Sequence, residues 1–410
     1  MKENGGLASD HAVVGGRPPD RIGDWKHHLK EAVLLENMKG ETIMGRTEER
    51  SLCAGVDLHK TQFTVCAINE EGEILLETVY PTSEEGYEEF IRKMHDREDE
   101  GYFIELAVES TGNARFFKNR MEAEGFTVRV VNTNKFKVIT MSTKKTDAND
   151  AATLAYYLMK DMLPEAHLCD QTSEELRRML KTRTILVQTT VKIKNQIHGM
   201  MLGYGIETKS AQFQSKKKRQ ELMNDLADHE YSAYTASSLE VTLNILDDLE
   251  SQIKMIEKQI AEMVRENRQV ELLKTIPGVG DINAATIAAY TADMDRFEGD
   301  FKRFASYVGI VPSVHNSNET VHLGRITKHG PTELRTAFVQ VALGMIRLTK
   351  QTSDWYLIKD YRRKKEDKGS GRAIIALSRK VARVVFAMLM KGEEFRPELM
   401  DREPQIQRTA

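Results

Sequence analysis

A strand-like alternation near the start of the chain constrains its fold more than any other feature. Leu52, Ala54 and Val56 occupy one face of a period-two pattern that ends at Asp57. Alternation of this kind predicts a β-strand with a buried apolar face. Two more strand-like runs flank an Asn-Glu-Glu-Gly turn at 69–72, which indicates a β-hairpin.

The segments after this hairpin predict a mixed sheet covered by helices. Thr82 and Glu85 fit a capping box at the start of a helix with one apolar face. Strand, helix and strand patterns follow at 103–109, 114–124 and 127–131. Hairpin-linked strands followed by alternating helices and strands are typical of an α/β fold. We therefore expect an α/β domain over residues 51–165.

The rest of the chain is predicted to be helical. The clearest signal is an apolar seam with alternating spacings of three and four, formed by Leu246, Leu249, Ile253, Ile256, Ile260 and Met263. This heptad pattern fits either an antiparallel hairpin within one chain or a coiled coil between chains. We assign residues 166–268 to a helical coiled-coil segment and residues 269–396 to a second, helical domain.

The two ends of the sequence are polar. Residues 1–50 contain two Gly-Gly pairs and Pro18-Pro19, so they are expected to form a disordered leader, with Met44 as an alternative start. Residues 397–410 are expected to form a polar tail.

Charge is distributed unevenly along the chain. The net charge of −3 does not by itself indicate a nucleic-acid partner. However, residues 131–220 and 321–396 are rich in Lys and Arg, whereas residues 221–270 are mainly acidic. Local basic surfaces permit contacts with phosphates, although solvated helix faces give the same pattern.

Composition excludes several classes of protein. No window approaches the roughly 18 unbroken apolar residues of a membrane span, so no membrane partner is expected. The three cysteines form no CxxC pair, which argues against a disulfide framework or a zinc knuckle. A reducing cytoplasm is the expected location.

Four carboxylates at the ends of predicted elements are the first candidates for catalysis. Asp57 ends the first strand, Glu109 ends the fourth, and Asp147 and Asp150 stand three apart at a helix start. Ligands bind at the carboxyl ends of strands in open α/β sheets. Carboxylates converging there can hold two Mg²⁺ ions that clamp the attacking and leaving oxygens of a phosphodiester. Glu105 is a rival ligand, and an isolated acid at such a position is more often a cap.

A glycine-rich turn provides a second candidate site. Gly278 and Gly280, in the segment Ile-Pro-Gly-Val-Gly, precede an Ala-rich helix. Glycines before a helix let backbone N–H groups approach a phosphate, as in helix-hairpin-helix elements that grip DNA backbones. An ordinary loop-to-helix turn has the same composition.

Residues 309–331 are predicted to be loop-rich and hold two serines, Ser313 and Ser317. A serine nucleophile needs a group to take its proton and cations to hold the phosphate. Groups of these types nearby are His315, Arg325, Lys328, His329 and Arg335. On these residues alone, a solvated loop is the simpler interpretation.

Together these motifs resemble the DEDD-type transposases of the insertion sequence 110 family and their relatives, the pilin-gene inversion recombinases. The first-half signature consists of Gly55-Val56-Asp57, Glu109-Ser110-Thr111-Gly112 and Lys145-Thr146-Asp147-Ala148-Asn149-Asp150. The second-half signature consists of Ile276-Pro277-Gly278-Val279-Gly280, Tyr307-Val308-Gly309-Ile310-Val311-Pro312 and Leu334-Arg335. The resemblance extends from about Ser51 to Arg396.

This resemblance implies an RNase H-like, RuvC-like mixed sheet, followed by a coiled-coil segment and a helical transposase domain. It implies that Asp57, Glu109, Asp147 and Asp150 bind Mg²⁺. It further implies partners: donor and target DNA, a structured guide RNA from the protein's own element, and other copies of the chain joined through the coiled coil.

The resemblance also implies a serine nucleophile, five residues after the proline of a Gly-x-x-Pro motif, that forms a covalent 5′-phosphoserine link with DNA. That position is Ser317, with Ser313 as the alternative. The next residue is Asn318, where the family usually has Gly. Asn tolerates the left-handed backbone conformation better than most residues.

The expected activity is DNA strand exchange through a Mg²⁺-assisted seryl–DNA intermediate. A DNA invertase of the same family would share this chemistry. A RuvC-like endonuclease acting by water attack would need the carboxylates but not Ser317. An inactive scaffold would bind DNA or RNA without metal-dependent cleavage.

Overall fold

The computed structural model describes residues 50–133, 135–136, 146–227, 233–317 and 320–400. They form two compact units, the first ending at Leu168 and the second beginning at Cys169. The predicted leader, apart from Arg50, lies outside the described residues, as does the predicted tail from position 401 onward.

A five-stranded mixed sheet forms the centre of the first unit. Its strands are β1 (Arg50–Leu58), β2 (Gln62–Asn69), β3 (Ile74–Pro81), β4 (Tyr102–Glu109) and β5 (Thr127–Val131). Their order is β3-β2-β1-β4-β5. β2 is antiparallel to β1 and β3, whereas β4 is parallel to β1 and β5. The predicted mixed sheet is therefore confirmed.

Helices cover both faces of this sheet. They are α1 (Glu84–Asp99), α2 (Ala114–Ala123) and α3 (Asp147–Met159). Phe90 of α1 and Phe117 of α2 are buried with Val56 on one face. Leu154 of α3 is buried with Ala107 of β4 in a separate cluster on the other face.

The start of α1 differs from the prediction. Ser83 is the N-cap, and its hydroxyl accepts a hydrogen bond from the Gly86 N–H at 3.4 Å. Thr82 instead donates its hydroxyl to the carbonyl oxygen of Lys60 at 2.7 Å. The predicted capping box at Thr82 was wrong because that side chain holds the loop between β1 and β2.

The backbone of α3 approaches β1 closely at Gly55. A Cβ atom at this position would lie 2.1 Å from the Ala151 carbonyl oxygen and 2.5 Å from the Ala155 nitrogen. Any larger residue would therefore push the helix away from the strand. Gly55 and Asp57 share one face of β1, so this contact brings the first turn of α3 toward the end of the strand.

The second unit is mainly helical. Its helices are α4 (Gln171–Leu202), α5 (Lys216–Ala227), α6 (Ala233–Met263), α7 (Arg268–Lys274), α8 (Asp281–Thr291), α9 (Phe301–Val308), α10 (Thr332–Arg347), α11 (Thr349–Thr352), α12 (Tyr356–Lys368) and α13 (Ser370–Lys391). Short 3₁₀ turns lie at Ser210–Phe213, Asp295–Phe297 and Pro397–Leu399. The main core of this unit includes Phe304, Phe338 and Phe386.

Helices α4 and α6 pack against each other within one chain. Leu176 and Leu180 share one buried cluster with Ile260, whereas Ile197 shares another with Leu246. The two helices are therefore antiparallel, and part of the predicted apolar seam lies in this hairpin. A coiled coil between chains stays a prediction.

A β-hairpin occupies much of the segment predicted to be loop-rich. β6 (Pro312–Ser317) pairs antiparallel with β7 (Thr320–Ile326), and Ser317 stands opposite Thr320. The loop prediction was wrong here. Apolar alternation is short here, limited to Val321 and Leu323 of β7, so the pattern did not reveal the pair of strands.

Within the described residues, no helix combines the length and the hydropathy needed to cross a lipid bilayer.

We expect Gly55→Ala to destabilise the first unit, because the new methyl group would overlap the backbone of α3. Overpacking of this kind typically lowers the free energy of unfolding by about 1–3 kcal/mol. Urea denaturation followed by circular dichroism measures the change. Gly112→Ala is the matched control, since a Cβ atom there meets nothing within 4 Å. Equal stability of the two variants would contradict the close contact.

Candidate functional site

The carboxyl end of β1 carries the first candidate ligand. Asp57 lies on the strand face covered by α3, and its side chain is only 13% exposed. It stands opposite Thr64 of the neighbouring strand β2. A carboxylate buried to this extent normally requires a partner or a bound cation.

The first turn of α3 carries two further candidates. Thr146 is the N-cap, and its hydroxyl accepts a hydrogen bond from the Asn149 N–H at 3.3 Å. Asp147 and Asp150 both lie in this first turn, as predicted. Asp150 is buried, whereas the Asp147 side chain is 46% exposed. The partial positive charge at a helix N-terminus stabilises carboxylates placed there.

The structure brings Asp57 and Asp147 together around a histidine. His59 Nε2 lies 3.2 Å from Asp57 Oδ2 and 3.4 Å from Asp147 Oδ1. One potential ligand atom from each of the three residues falls within 4.8 Å of the others. Since the carboxylates come from a strand end and a helix start, the fold itself creates this cluster.

Hydrogen bonds fix the backbone that carries His59. The Asn113 side-chain amide donates to the His59 carbonyl oxygen at 3.1 Å. Thr111 in turn donates its hydroxyl to the Asn113 side-chain oxygen at 2.9 Å. The turn after β4 therefore supports the turn after β1.

Glu109 ends the strand next to Asp57. The last paired residues of these parallel strands are Val56 and Val108, so Glu109 and Asp57 come next in register. Glu109 is half-buried and is not one of the three clustered residues. Its rival Glu105 lies four residues earlier and forms an ion pair with Arg129 at 3.1 Å. Its position next to Asp57 therefore favours Glu109 over Glu105 as a metal ligand.

The residues at the carboxyl end of β1 and the start of α3 fit a divalent cation. Carboxylate oxygens are the donors that Mg²⁺ and Mn²⁺ prefer, and an imidazole nitrogen broadens the choice toward transition metals. The Thr64 hydroxyl, opposite Asp57, is buried and lacks a hydrogen-bond partner within the described residues. Buried hydroxyls are normally paired, so this one suits a site that holds a hydrated ion.

The second unit carries the two candidate serines on one strand. Ser317 is the last residue of β6, next to the turn of the hairpin. Ser313 lies at the other end of the strand, where a Cβ atom at Gly324 would be 2.3 Å from its hydroxyl oxygen. The Ser313 hydroxyl therefore faces the neighbouring strand. Asn318 lies outside the described residues.

Two of the three predicted phosphate-binding cations near this hairpin are exposed. Arg325 and Lys328 are open to solvent. Arg335 donates to the carbonyl oxygens of Val308 and Gly330 at 3.4 and 3.2 Å. Its guanidinium therefore braces the base of the hairpin, a role that the sequence did not indicate.

The predicted glycine-rich turn joins α7 to α8. Gly278 has a φ of +88°, and a Cβ atom there would lie 3.0 Å from the Gly344 carbonyl carbon. It is therefore needed for close contact with α10. Gly280 is the exposed N-cap of α8, and a Cβ atom there would meet nothing within 4 Å. Of the two, Gly280 is better placed to approach a ligand.

Sequence reasoning missed His59 and Thr64. His59 follows Asp57 by two residues, a spacing that returns side chains to one strand face. Because the predicted strand was ended at Asp57, this signal was not used. Thr64 becomes relevant only through the register of β2 against β1.

A mixed sheet with carboxylates at its strand ends is the arrangement expected of a metal-dependent enzyme acting on phosphodiesters. Comparison with known families is more specific. A family described as "Transposase", of the DEDD type of insertion sequence 110, matches residues 54–206. The "Transposase IS116/IS110/IS902 family" matches residues 270–357. The chain belongs to this transposase family, whose members recombine DNA.

Individual relatives agree with this assignment. The transposase for insertion sequence element IS1111A of Coxiella burnetii is 24% identical over 90% of this chain and 98% of its own length. The transposase for insertion sequence element IS1328 of Yersinia enterocolitica is 25% identical over 83% of this chain and 97% of its own length. A pilin gene-inverting protein of Moraxella bovis is 24% identical over 61% of this chain and 68% of its own length.

We expect Asp147→Asn to weaken Mn²⁺ binding to the first unit at least about tenfold, because the amide keeps the shape but removes the charge that a cation requires. Isothermal titration calorimetry on the full chain measures this affinity. Asp99→Asn is the control, since Asp99 is an exposed aspartate at the far end of α1. Equal Mn²⁺ affinity in both variants would show that Asp147 is not a ligand.

Proposed function

We propose that this protein exchanges DNA strands between a donor and a target site through a covalent seryl–DNA intermediate. The observation that carries the proposal is the convergence of Asp57 and Asp147 within the family's DEDD region. The proposal assigns the acidic site to an RNase H-like domain that holds Mg²⁺ with Asp57, Glu109, Asp147 and Asp150. When bound, the metal would act as a Lewis acid on a phosphate oxygen.

Ser317 is the proposed nucleophile. Its hydroxyl oxygen forms a bond to phosphorus while the bond from phosphorus to the 3′ oxygen breaks. The serine releases a proton, and the departing 3′ oxygen gains one. The resulting 5′-phosphoserine retains a phosphodiester bond, so the 3′ hydroxyl of another strand can attack it without an external energy source.

The second unit supplies groups suited to this step. Ser317 is the last residue of β6, beside the hairpin turn. Arg325 and Lys328 are exposed cations on the same hairpin and the segment after it, and cations stabilise charge at phosphorus during transfer. The loop before α8, with Gly280 as its last residue, is proposed to contact the DNA backbone.

DNA inversion is a second candidate activity. The pilin gene-inverting proteins among the relatives favour it. Inversion and transposition share the same strand-exchange chemistry and differ in the arrangement of the recombining sites. We further propose that a structured RNA from the protein's own element selects these sites, as the resemblance to RNA-guided members implies.

Association through the helical hairpin is also proposed. Val241, Ile245 and Met255 of α6 are each at least 41% exposed. At about 100° per residue these three positions fall within a sector of roughly 80° on the helix. An exposed apolar stripe on a long helix is a typical contact between chains.

The covalent intermediate provides the test of the main proposal. With a labelled DNA substrate whose nick prevents rejoining, the wild-type protein should give a DNA-linked protein band on denaturing electrophoresis, and Ser317→Ala should lose it. Ser313→Ala is the matched control and should retain the band. A band that persists in Ser317→Ala but disappears in Ser313→Ala would move the nucleophile to Ser313. Metal-dependent cleavage without any band would support water attack instead.

Charges in the exposed stripe should reduce self-association. We expect Ile245→Asp combined with Met255→Asp to give a smaller species in sedimentation velocity, because each buried unpaired charge opposes association by several kcal/mol. Both positions are exposed in the single chain, so its helical content should stay constant. Met162→Asp, at a 64% exposed position of the first unit, is the control. An unchanged oligomer in the double variant would exclude this face.

A further inference from the structure

A groove of about 680 Å³ lies in the second unit beside the base of the β6–β7 hairpin. Pro312 and Ile326, which pair with each other at that base, form part of its wall. Five cations from α12 and α13 also line it: Lys364, Arg372, Arg379, Lys380 and Arg383. We call this feature the basic groove.

The two lysines of the basic groove are held by a buried carboxylate. Asp360 Oδ2 lies 2.7 Å from Lys364 Nζ and 2.6 Å from Lys380 Nζ. Burial alone would raise the pKa of Asp360, but hydrogen bonds from Lys364, Lys380 and Arg363 hold that pKa well below its ordinary value. These lysines are therefore fixed in place, and the single negative charge of Asp360, which Arg363 also shares, offsets only part of their charge.

The three arginines differ from the lysines. Arg372, Arg379 and Arg383 are spaced by seven and four residues, so they project from one face of α13. In the described part of the chain they form no ion pair, and none of the described residues that line the basic groove is acidic. An excess of positive charge therefore faces the groove, which calls for an anionic ligand.

The floor of the basic groove is apolar. Ile310, Ile375 and Ala376 contribute to it, together with the rings of Phe301 and Tyr356. The guanidinium of Arg383 lies 4.6 Å from the Phe301 ring centroid, and Lys380 Nζ lies 4.4 Å from that of Tyr356. A ligand that combines negative charge with flat or apolar parts would match both the cations and the apolar lining of the groove.

Single-stranded nucleic acid has this combination of properties. A duplex turns its phosphates outward and hides its bases, so it would use the cations but not the apolar floor. An unpaired strand presents phosphates to cations and bases to apolar and aromatic surfaces at the same time. Strand exchange also requires unpaired DNA at the hairpin that carries the proposed serine. We propose that the basic groove binds an unpaired segment of the DNA strand that is handled at the β6–β7 hairpin.

This inference rests on the proposed function only for the reaction that the bound strand undergoes. Its test is therefore a binding measurement on full-length Ser317→Ala protein in EDTA, where neither covalent attachment nor metal-dependent cleavage contributes. The probe is fluorescein-labelled oligodeoxythymidylate of twelve nucleotides, followed by anisotropy at several salt concentrations. Failure of the covalent test leaves this result unaffected, so the two proposals fail separately.

Removal of a groove arginine should weaken binding of this probe. We expect Arg379→Gln to reduce the affinity about tenfold and to lower the slope of log K against log salt by about 0.7, the value for one phosphate contact with a single strand. Arg347→Gln, at an exposed arginine of α10 outside the groove, should leave both unchanged. Ala387→Glu, which adds a negative charge at an exposed position of the groove, should weaken binding without removing any contact.

Three outcomes would overturn the proposal. Equal affinities for Arg379→Gln and Arg347→Gln would show that the basic groove does not contact the strand. Competition by duplex DNA as strong, per phosphate, as by the single strand would mean that only the backbone is bound. A groove-dependent preference of more than tenfold for oligouridylate would assign the site to RNA. Photocrosslinking of a 5-iodouracil probe to the peptide that carries Tyr356 would support the proposal directly.

Discussion

The contact between the backbone of α3 and Gly55 determines where the acidic site lies. Because position 55 has no Cβ atom, the helix rests directly on the strand, and its first turn reaches the end of β1. Asp147 thereby comes close to Asp57, although like charges at this separation repel each other. The helix N-terminus reduces that repulsion, and the His59 imidazole lies within 3.4 Å of both carboxylates. A bound divalent cation would reduce the repulsion between the two carboxylates further. The packing of α3 on β1 therefore favours cation binding at this position.

The candidate serine depends on a different kind of support. It lies on the β6–β7 hairpin, which is joined to the helical core at its base. Arg335 and the close approach of Gly330 to the Tyr307 carbonyl group hold its base against the helical core. Ser317 lies at the opposite end of β6 from this contact.

Sequence patterns predicted the strands of the first unit because each contains apolar alternation or a buried run. They predicted Asp57, Asp147 and Asp150 at element ends for the same reason, since Thr146 and the strand pattern mark those ends. They did not predict the β6–β7 hairpin, in which that signal is limited to Val321 and Leu323, or the cap at Ser83. Thr64 and the bracing role of Arg335 depend on register and tertiary contacts, which residue spacing does not encode. The two-residue spacing of His59 from Asp57 was available, but it fell beyond the predicted end of the strand. The heptad pattern left open whether α4 and α6 pair within or between chains; they pack together within one chain, and association between chains stays a prediction.

The ion pairs of Asp360 divide the cations of the basic groove into two populations. Lys364 and Lys380 are bound to a buried carboxylate, where mobile ions screen charges only weakly. Arg372 and Arg383 face solvent and exchange freely with counterions. The wall of the groove therefore keeps its shape across a wide range of ionic strength, while its attraction for a polyanion declines as salt rises. If a nucleic-acid strand binds in the groove, a change in salt concentration can therefore promote its binding or its release. The helices that form the wall need not rearrange for this.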